Sequence, residues 1–557
     1  AVCSPTRASI LTGRSPRRSC IDTAEGCGQK PAWSCYDRMP LPPTEFTAAE
    51  AVKQKGYATF FAGKWHLGDF WDKGEPGGFA LQKWPASNPG MHGFDEWHAT
   101  EASACTSTTN CGCMAGWKDE GEGCIIGGTG TWTHEALECT NYWRPLDLDG
   151  KHRPGMRPGC RDERTPRSCL ANLTSKIEGD DSLYIVGLFE DFVRRKSAGA
   201  EVAPWLAQLS LHTNHIPHYA LPEWYHKYTE AEGGPAGDYH GSISQMDHAV
   251  GELLKVLERP GASDNTMIWY TADNGAFPLG RPSGQLSASN GLRQCKASLF
   301  EGGIRTAGFV HWPAGIKGHQ STTHPAATMD FLPTVMEVLG VKHPRPDWYS
   351  DGTSLLPLLT GRVLPQVPRA KPLGFSLFSQ LAWMEDAGSA GIWKMTYKAD
   401  RGLCYWLPPY SAKTPGPFLF NLTADPTESN DLCAAEPERC AAMKTAMDGF
   451  ARSLEYSRIR ESGCQRAPQA PLPSASATEG FELVTADGAC LTLEPLAGHA
   501  VPILGVCGSG GSRWDVGAGG RLVNLAAPGM CTKLDLADTG GACQDRRTIW
   551  LGECSDR

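Results

Sequence analysis

Cys3-Ser4-Pro5-Thr6-Arg7-Ala8-Ser9-Ile10-Leu11-Thr12-Gly13-Arg14 lies almost at the first residue of the chain, and no Met precedes it. A cysteine stands four residues before an arginine, a proline lies between them, and a Leu-Thr-Gly-Arg tail follows. Such a cysteine is either half of a structural disulfide or a side chain kept apart for chemistry. The chain has 21 cysteines, and setting Cys3 aside leaves 21 − 1 = 20, an even number compatible with full pairing.

The bulk numbers bound the rest. A chain of 557 residues is too long for one core, so two to four domains are expected. With 41% hydrophobic and 20% charged residues it is globular in composition. A net charge of −9 gives no electrostatic support for binding nucleic acid. No run of about 18 apolar residues is present, so no membrane span is expected. Cys105, Cys111, Cys113, Cys124 and Cys139 crowd a Gly-rich stretch, the pattern of a loop stapled by disulfides in an oxidising compartment. Cys111-Gly112-Cys113 has the wrong spacing for zinc. Asn172-Leu173-Thr174 and Asn421-Leu422-Thr423 are N-glycosylation sequons, which add weak support for the secretory pathway (secreted, lysosomal or periplasmic). A signal peptide is expected to lie outside these residues.

Residues 1–364 alternate helical patterns with short apolar runs, which predicts an α/β domain with helices on both faces of a sheet. A helix is expected over Thr44–Lys55 with Thr44 as N-cap, followed by a strand at Ala58–Ala62. Leu206–Leu211 is a short apolar run ending at His212, and Met246–Leu257 has helical spacing. Thr266–Thr271 reads as a buried strand that delivers Asp273 and Asn274 at its C-terminal end, where open α/β sheets bind ligands. Residues 365–463 read as a small α+β subdomain with a helix near Ala434–Leu454. Residues 464–480 read as a Pro-, Ala- and Ser-rich linker. Residues 481–557 repeat internally: Cys490-Leu491-Thr492-Leu493 leads to Leu504-Gly505-Val506-Cys507, and Cys531-Thr532-Lys533-Leu534 leads to Leu551-Gly552-Glu553-Cys554.

Five blocks, taken in order, resemble the type I sulfatases of the alkaline phosphatase-like superfamily. They are Cys-x-Pro-x-Arg at Cys3 with its Leu11-Thr12-Gly13-Arg14 tail, Gly63-Lys64-Trp65-His66-Leu67-Gly68, the histidines around His215, Asp273-Asn274-Gly275, and Lys296-Ala297-Ser298-Leu299-Phe300-Glu301-Gly302-Gly303-Ile304-Arg305. The resemblance covers about residues 1–463 and implies a mixed sheet sandwiched by helices. It further implies that a formylglycine-generating enzyme oxidises Cys3 to Cα-formylglycine, whose hydrate attacks a sulfate ester. One hydroxyl attacks sulfur and the second collapses the sulfated intermediate. Arg7 would support the hydrate, and Lys64 would contact the sulfate. His66 would take the proton of the second hydroxyl, and His215 would protonate the leaving alcohol. Lys296 would hold a sulfate oxygen. Asp273 and Asn274, with the modified Cys3, would hold Ca²⁺, with Mg²⁺ as the other hard cation suited to oxygen ligands. Ser103, matched on spacing alone, would add a hydroxyl near the sulfate. Glu301 and Arg305 read as structural, and His212 and His218 as structural or rim residues. The tail resembles the ricin-type β-trefoil lectins, with Ser512-Arg513-Trp514 in place of Gln-x-Trp.

The substrate expected is a sulfated carbohydrate or an aryl sulfate. One rival is a phosphatase or phosphodiesterase relative, which would carry Ser or Thr at the nucleophile. The other is a catalytically dead, secreted sugar-binding protein. The family's metal-binding Asp pair lies upstream of the cysteine motif, so a chain opening at this motif is expected to lack the first central strand. It would then bind metal poorly and turn over slowly, and it would hold an incomplete trefoil at its other end.

Overall fold

The computed structural model describes residues 2–21, 40–68, 70, 87–100, 181–197, 203–215, 220–228, 235–258, 262–276, 291–348, 350–364, 367–377, 380–398 and 416–460. It also gives the backbone of strands at 142–145, 170–173 and between 489 and 553. The chain divides into two units, Ala1–Cys464 and Gln465–Arg557.

The first unit is built on a five-stranded sheet in the order β4-β3-β2-β1-β5, with β1 Ala58–Lys64, β2 Glu96–Thr100, β3 Tyr142–Pro145, β4 Leu170–Leu173 and β5 Trp205–Ser210. β1 runs parallel to both β2 and β5, while β3 and β4 add antiparallel ribbons, so the sheet is mixed. Alternate residues of β1 feed two cores, as strand geometry requires. On one face Phe60 and Ala62 pack with Ile185, Phe189 and Phe192 of α3 (Ser182–Ser197) and Ala249 of α4 (Pro235–Glu258). On the other, Phe61 packs with Trp97, with Ala8 and Leu11 of α1 (Cys3–Thr12), and with Ala49 of α2 (Ala48–Lys53). Helices therefore cover both faces. Burial of one such aromatic side chain is worth about 1.5–3 kcal/mol, so this double core fixes the sheet that presents the site.

The α2 helix begins four residues later than its sequence pattern predicts. Thr47, not Thr44, is the N-cap: its Oγ1 accepts from Glu50 N at 3.2 Å, while Glu50 Oε2 accepts from Thr47 N at 2.8 Å. This reciprocal capping box satisfies two backbone donors that the first helical turn leaves orphaned. The Thr266–Thr271 run is also corrected. Its strand, β6 (Ile268–Thr271), pairs antiparallel with β7 (Gly308–His311) in a two-stranded sheet and is only half-buried.

A second sheet, β11-β10-β9-β8, joins β8 Leu373–Leu377, β9 Gln380–Asp386, β10 Ile392–Tyr397 and β11 Phe418–Asn421 in antiparallel pairs. One face packs Met443 and Met447 of α7 (Pro437–Arg460; α5 and α6 are Glu301–Ile304 and Phe331–Leu339) against Trp393 and Met395. The other receives Leu299 and Phe300. Asp330 and Asp351 are buried ties rather than reactive groups. Asp330 pairs with Arg369 at 2.7 Å, and Asp351 with Arg18 at 2.7 Å. Cys433 and Cys440 form a disulfide.

In the second unit the two sequence copies pair alike. Cys490 stands opposite Gly505 in the first hairpin, and Cys531 opposite Gly552 in the second. The linker and the Ser512-Arg513 dipeptide lie outside the described residues, as do Cys105–Cys139.

Candidate active site

Cys3 is the first residue of α1, and the cysteine-to-arginine spacing of four places Arg7 one helical turn further on the same face. Pro5 fits in this first turn because its missing N–H would have had no partner there. Cys3 is 2% exposed, and among the described residues it is the free cysteine. Arg7 does not point at open solvent. Its Nη1 donates to the Lys64 carbonyl at 2.7 Å, and its Nη2 reaches Asp273 Oδ2 at 3.4 Å. One guanidinium therefore ties the helix bearing Cys3 to the end of β1 and to the loop after β6.

Lys64 is the last residue of β1, and the chain does not stay extended beyond it. His66 has φ of 57°, a left-handed conformation costly for a non-glycine residue, so strand alternation does not carry on from Lys64 to His66. Both side chains nevertheless act on Cys3. Burial alone would push its thiol up, but Lys64 and Lys296, with hydrogen bonds from His215 and His66, hold it well below the usual thiol range. Lys296 Nζ stands 3.6 Å from Cys3 Sγ. Burial lowers the pKa of Lys64, and Arg7 and Lys296 push it further down against the opposing pull of Cys3 and Asp273. His215 is lowered by burial and then by the same two lysines, with Cys3 opposing.

The loop after β6 delivers Asp273 and Asn274, and Asn274 Oδ1 lies 3.9 Å from Cys3 Sγ. Its position depends on three glycines. Gly275 N donates to the Gly303 carbonyl at 3.0 Å, and Lys296 N donates to the Ala276 carbonyl at 3.0 Å. A Cβ on Gly275 would stand 1.9 Å from the Gly302 oxygen, and one on Gly302 would stand 2.1 Å from the Gln294 oxygen. Only glycine permits the Asp-Asn-Gly loop and the Lys296 loop to lie backbone to backbone. Glu301, at the start of α5, is buried among other charges. It pairs with Lys394 of β10 at 2.7 Å and with Arg305 at 2.6 Å, and Glu428 holds Lys394 from the other side at 2.9 Å.

The structure thus brings Cys3, Arg7, Lys64, His66, His215, Lys296, Asp273 and Asn274 into one pocket. Ser103 and His218 lie outside the described residues. Asn172 lies within β4. Asn421 closes β11 and accepts from Thr423 N at 3.1 Å. His212 is buried against Asp181 and Thr100 and does not face Cys3. Sequence reasoning missed Asp181, whose only signal is its place just before α3. Asp273 and Asn274 offer hard oxygen donors beside the reacting atom, which fits a divalent cation in kind. Among the described residues, no three His, Cys, Asp or Glu side chains group as a metal cluster.

A family model described as Sulfatase matches residues 1–341. Rat (Rattus norvegicus) steryl-sulfatase is 29% identical over 503 residues, covering 81% of this chain and 80% of its own. Human (Homo sapiens) N-acetylgalactosamine-6-sulfatase is 27% identical over 366 residues, covering 65% of this chain and 58% of its own. Among solved structures, Ps i-CgsB superposes with a TM-score of 0.56 at 19% identity, covering 83% of each chain, and one of its crystal structures is a complex with k-i-k-neocarrahexaose. That likeness shows a shared fold.

Proposed function

We propose, on the premise that this chain belongs to the sulfatase family and hydrolyses sulfate esters, that Cys3 is its reacting residue and that the cations and imidazoles around it form the sulfate site. One observation carries the reading: Lys64, Lys296, His66 and His215 converge on the Cys3 side chain. A sulfate monoester carries one negative charge, which a pocket with surplus positive charge would hold in place of water.

Cys3 is described with its encoded thiol, which stands in for the formylglycine that the family generally uses. When formed, that group supplies two hydroxyls on one carbon, one for attack and one for release. The chain's own residues would do the rest. The α1 N-terminus places a partial positive charge behind Cys3. Arg7 fixes the direction in which Cys3 projects, through its bonds to Lys64 O and Asp273. Lys64 at the floor and Lys296 nearer the rim would neutralise sulfate oxygens as the ester bond lengthens. His66 would accept the proton that the second hydroxyl gives up. His215, also nearer the rim, would deliver a proton to the leaving alcohol. Asp273 and Asn274 would hold the divalent metal, Ca²⁺ or else Mg²⁺, which adds positive charge at the sulfate. Ser103 would contribute a hydroxyl.

The substrate class we favour is a sulfated carbohydrate. The names of N-acetylgalactosamine-6-sulfatase and of the Ps i-CgsB complex support it, and a lectin-like tail at 481–557 would hold such an enzyme near glycans. Passage through the secretory pathway is supported by the Cys433–Cys440 disulfide and by disulfide-bonded Cys20 and Cys295. Glycosylation would fall at Asn172 and Asn421. No helix among the described residues is long and apolar enough to cross a membrane.

Peptide mass spectrometry on protein made in a secretory host tests the assignment. An aldehyde trapped by a hydrazine is expected at Cys3. A peptide carrying only the thiol, in protein that still releases sulfate, would overturn it.

A further inference from the structure

The turn that carries His215 is anchored at each of the three residues before it. His212 is 3% exposed, its Nδ1 bonds Asp181 Oδ2, and its Nε2 lies 2.8 Å from Thr100 Oγ1. Thr213 Oγ1 lies 3.2 Å from Ser182 Oγ, and Asn214 Oδ1 accepts from Ser242 Oγ at 2.8 Å. His215 N then donates to the His212 carbonyl at 2.9 Å, closing the turn. The partners of His212 belong to the scaffold of the site itself. Thr100 ends β2 directly opposite Lys64 in the parallel register, and its carbonyl accepts from Trp65 N at 3.3 Å. Asp181 opens α3, its carbonyl accepting from Ile185 N at 2.9 Å.

We infer that the Asp181–His212–Thr100 chain of bonds is the positioning device for His215 and sets its distance from the leaving oxygen. The inference rests on the proposal that His215 is the general acid. A carboxylate only accepts, so the His212 Nδ1 carries the proton given to Asp181, while Nε2 and the Thr100 hydroxyl share the second bond. Both ring nitrogens are therefore occupied, and His212 has none left for substrate. It acts through His215, as a positioning residue. Its bond to Thr100 anchors the His215 turn to β2, while Lys64 is held independently by the β1–β2 pairing and by Arg7. A buried imidazole bonded at both ends holds a turn more stiffly than backbone bonds alone, because neither partner finds water to exchange with.

The test uses the whole chain with Cys3 converted and a series of sulfate monoesters, from acidic nitrophenols to simple alcohols. A misplaced general acid matters little when the leaving group departs unaided and most when it does not. His212→Gln, with Asp181→Asn as the milder second variant, should leave kcat/KM on the nitrophenyl ester near wild type. On the alkyl ester it should fall by about 10²-fold, the order a misplacement of about 1 Å can cause. A poorly folded preparation would lower every substrate by the same factor, so the slope against leaving-group acidity separates positioning from mere structure. Equal loss across the series would overturn the inference. His215→Ala run alongside must show the steepened slope. If it does not, the acid assignment fails, and the role given to His212 falls with it for that separate reason.

Discussion

Two buried charge clusters meet in the segment Lys296–Arg305. The rear cluster lies at its end, where Lys394 stands between Glu301 and Glu428, with Arg305 on Glu301, so two carboxylates meet two cations. The front cluster lies at its start, where Arg7, Lys64 and Lys296, with His66 and His215, surround Cys3, and among the described residues the opposing carboxylate is Asp273. The rear cluster is balanced, and its charges serve one another. The front cluster carries surplus positive charge in a low-dielectric setting, which is costly until an anion fills it. Balance marks a structural site and imbalance a binding site, although both are built from the same residue types and share one segment, Lys296–Arg305.

The comparison can be broken by substitutions on either side. The largest effect is expected at the rim of the front cluster. His215→Ala should lower kcat on an alkyl sulfate by about 10²–10⁴-fold, the span of general-acid contributions, and much less on a nitrophenyl sulfate. Steady-state rates on both esters check this. Lys296→Met should cost about 10²–10³-fold in kcat, the order for removing one donor to a developing charge, while the melting temperature holds or rises. A fall in stability without loss of rate would place Lys296 in the structural class.

The rear cluster should respond in the opposite sense. Lys394→Met leaves two buried carboxylates facing each other and should destabilise the fold by about 3–5 kcal/mol, read by urea unfolding. Unchanged stability would remove the distinction between the clusters.

Much of this could be read from the sequence because the reacting groups sit in short blocks whose chemistry and spacing are both constrained. The Cys3-to-Arg7 spacing is one helical turn, and Gly302-Gly303 marks a close backbone approach. The helix start at Ala48 was misjudged because Thr44 and Thr47 offer the same cap chemistry, and only the reach of Glu50 chooses between them. The His66 backbone could not be read, because nothing in Lys-Trp-His announces a left-handed residue. Asp181 stayed hidden for a different reason. A carboxylate before a helix reads as an ordinary helix start, and its bond to His212 spans 31 positions of chain.

The smallest effect concerns a buried imidazole outside both clusters. His92 packs beside Trp65, and burial pushes its pKa down to about 3, against the weaker upward pull of the Leu41 backbone carbonyl. Its folded value lies below its unfolded one near 6.5, so the unfolded chain binds the extra proton. The stability it contributes is full above about pH 6.5 and is lost as pH falls toward about 3. His92→Asn should flatten the acid limb of a melting-temperature profile across that window. An unchanged limb would show that other groups govern it.

The most direct test is sulfate release from a nitrophenyl sulfate by the chain and by its Cys3→Ala variant, side by side at equal folded concentration. Release by the first that is absent from the second is the expected result. Equal release from both would contradict the placement of the reacting centre at Cys3.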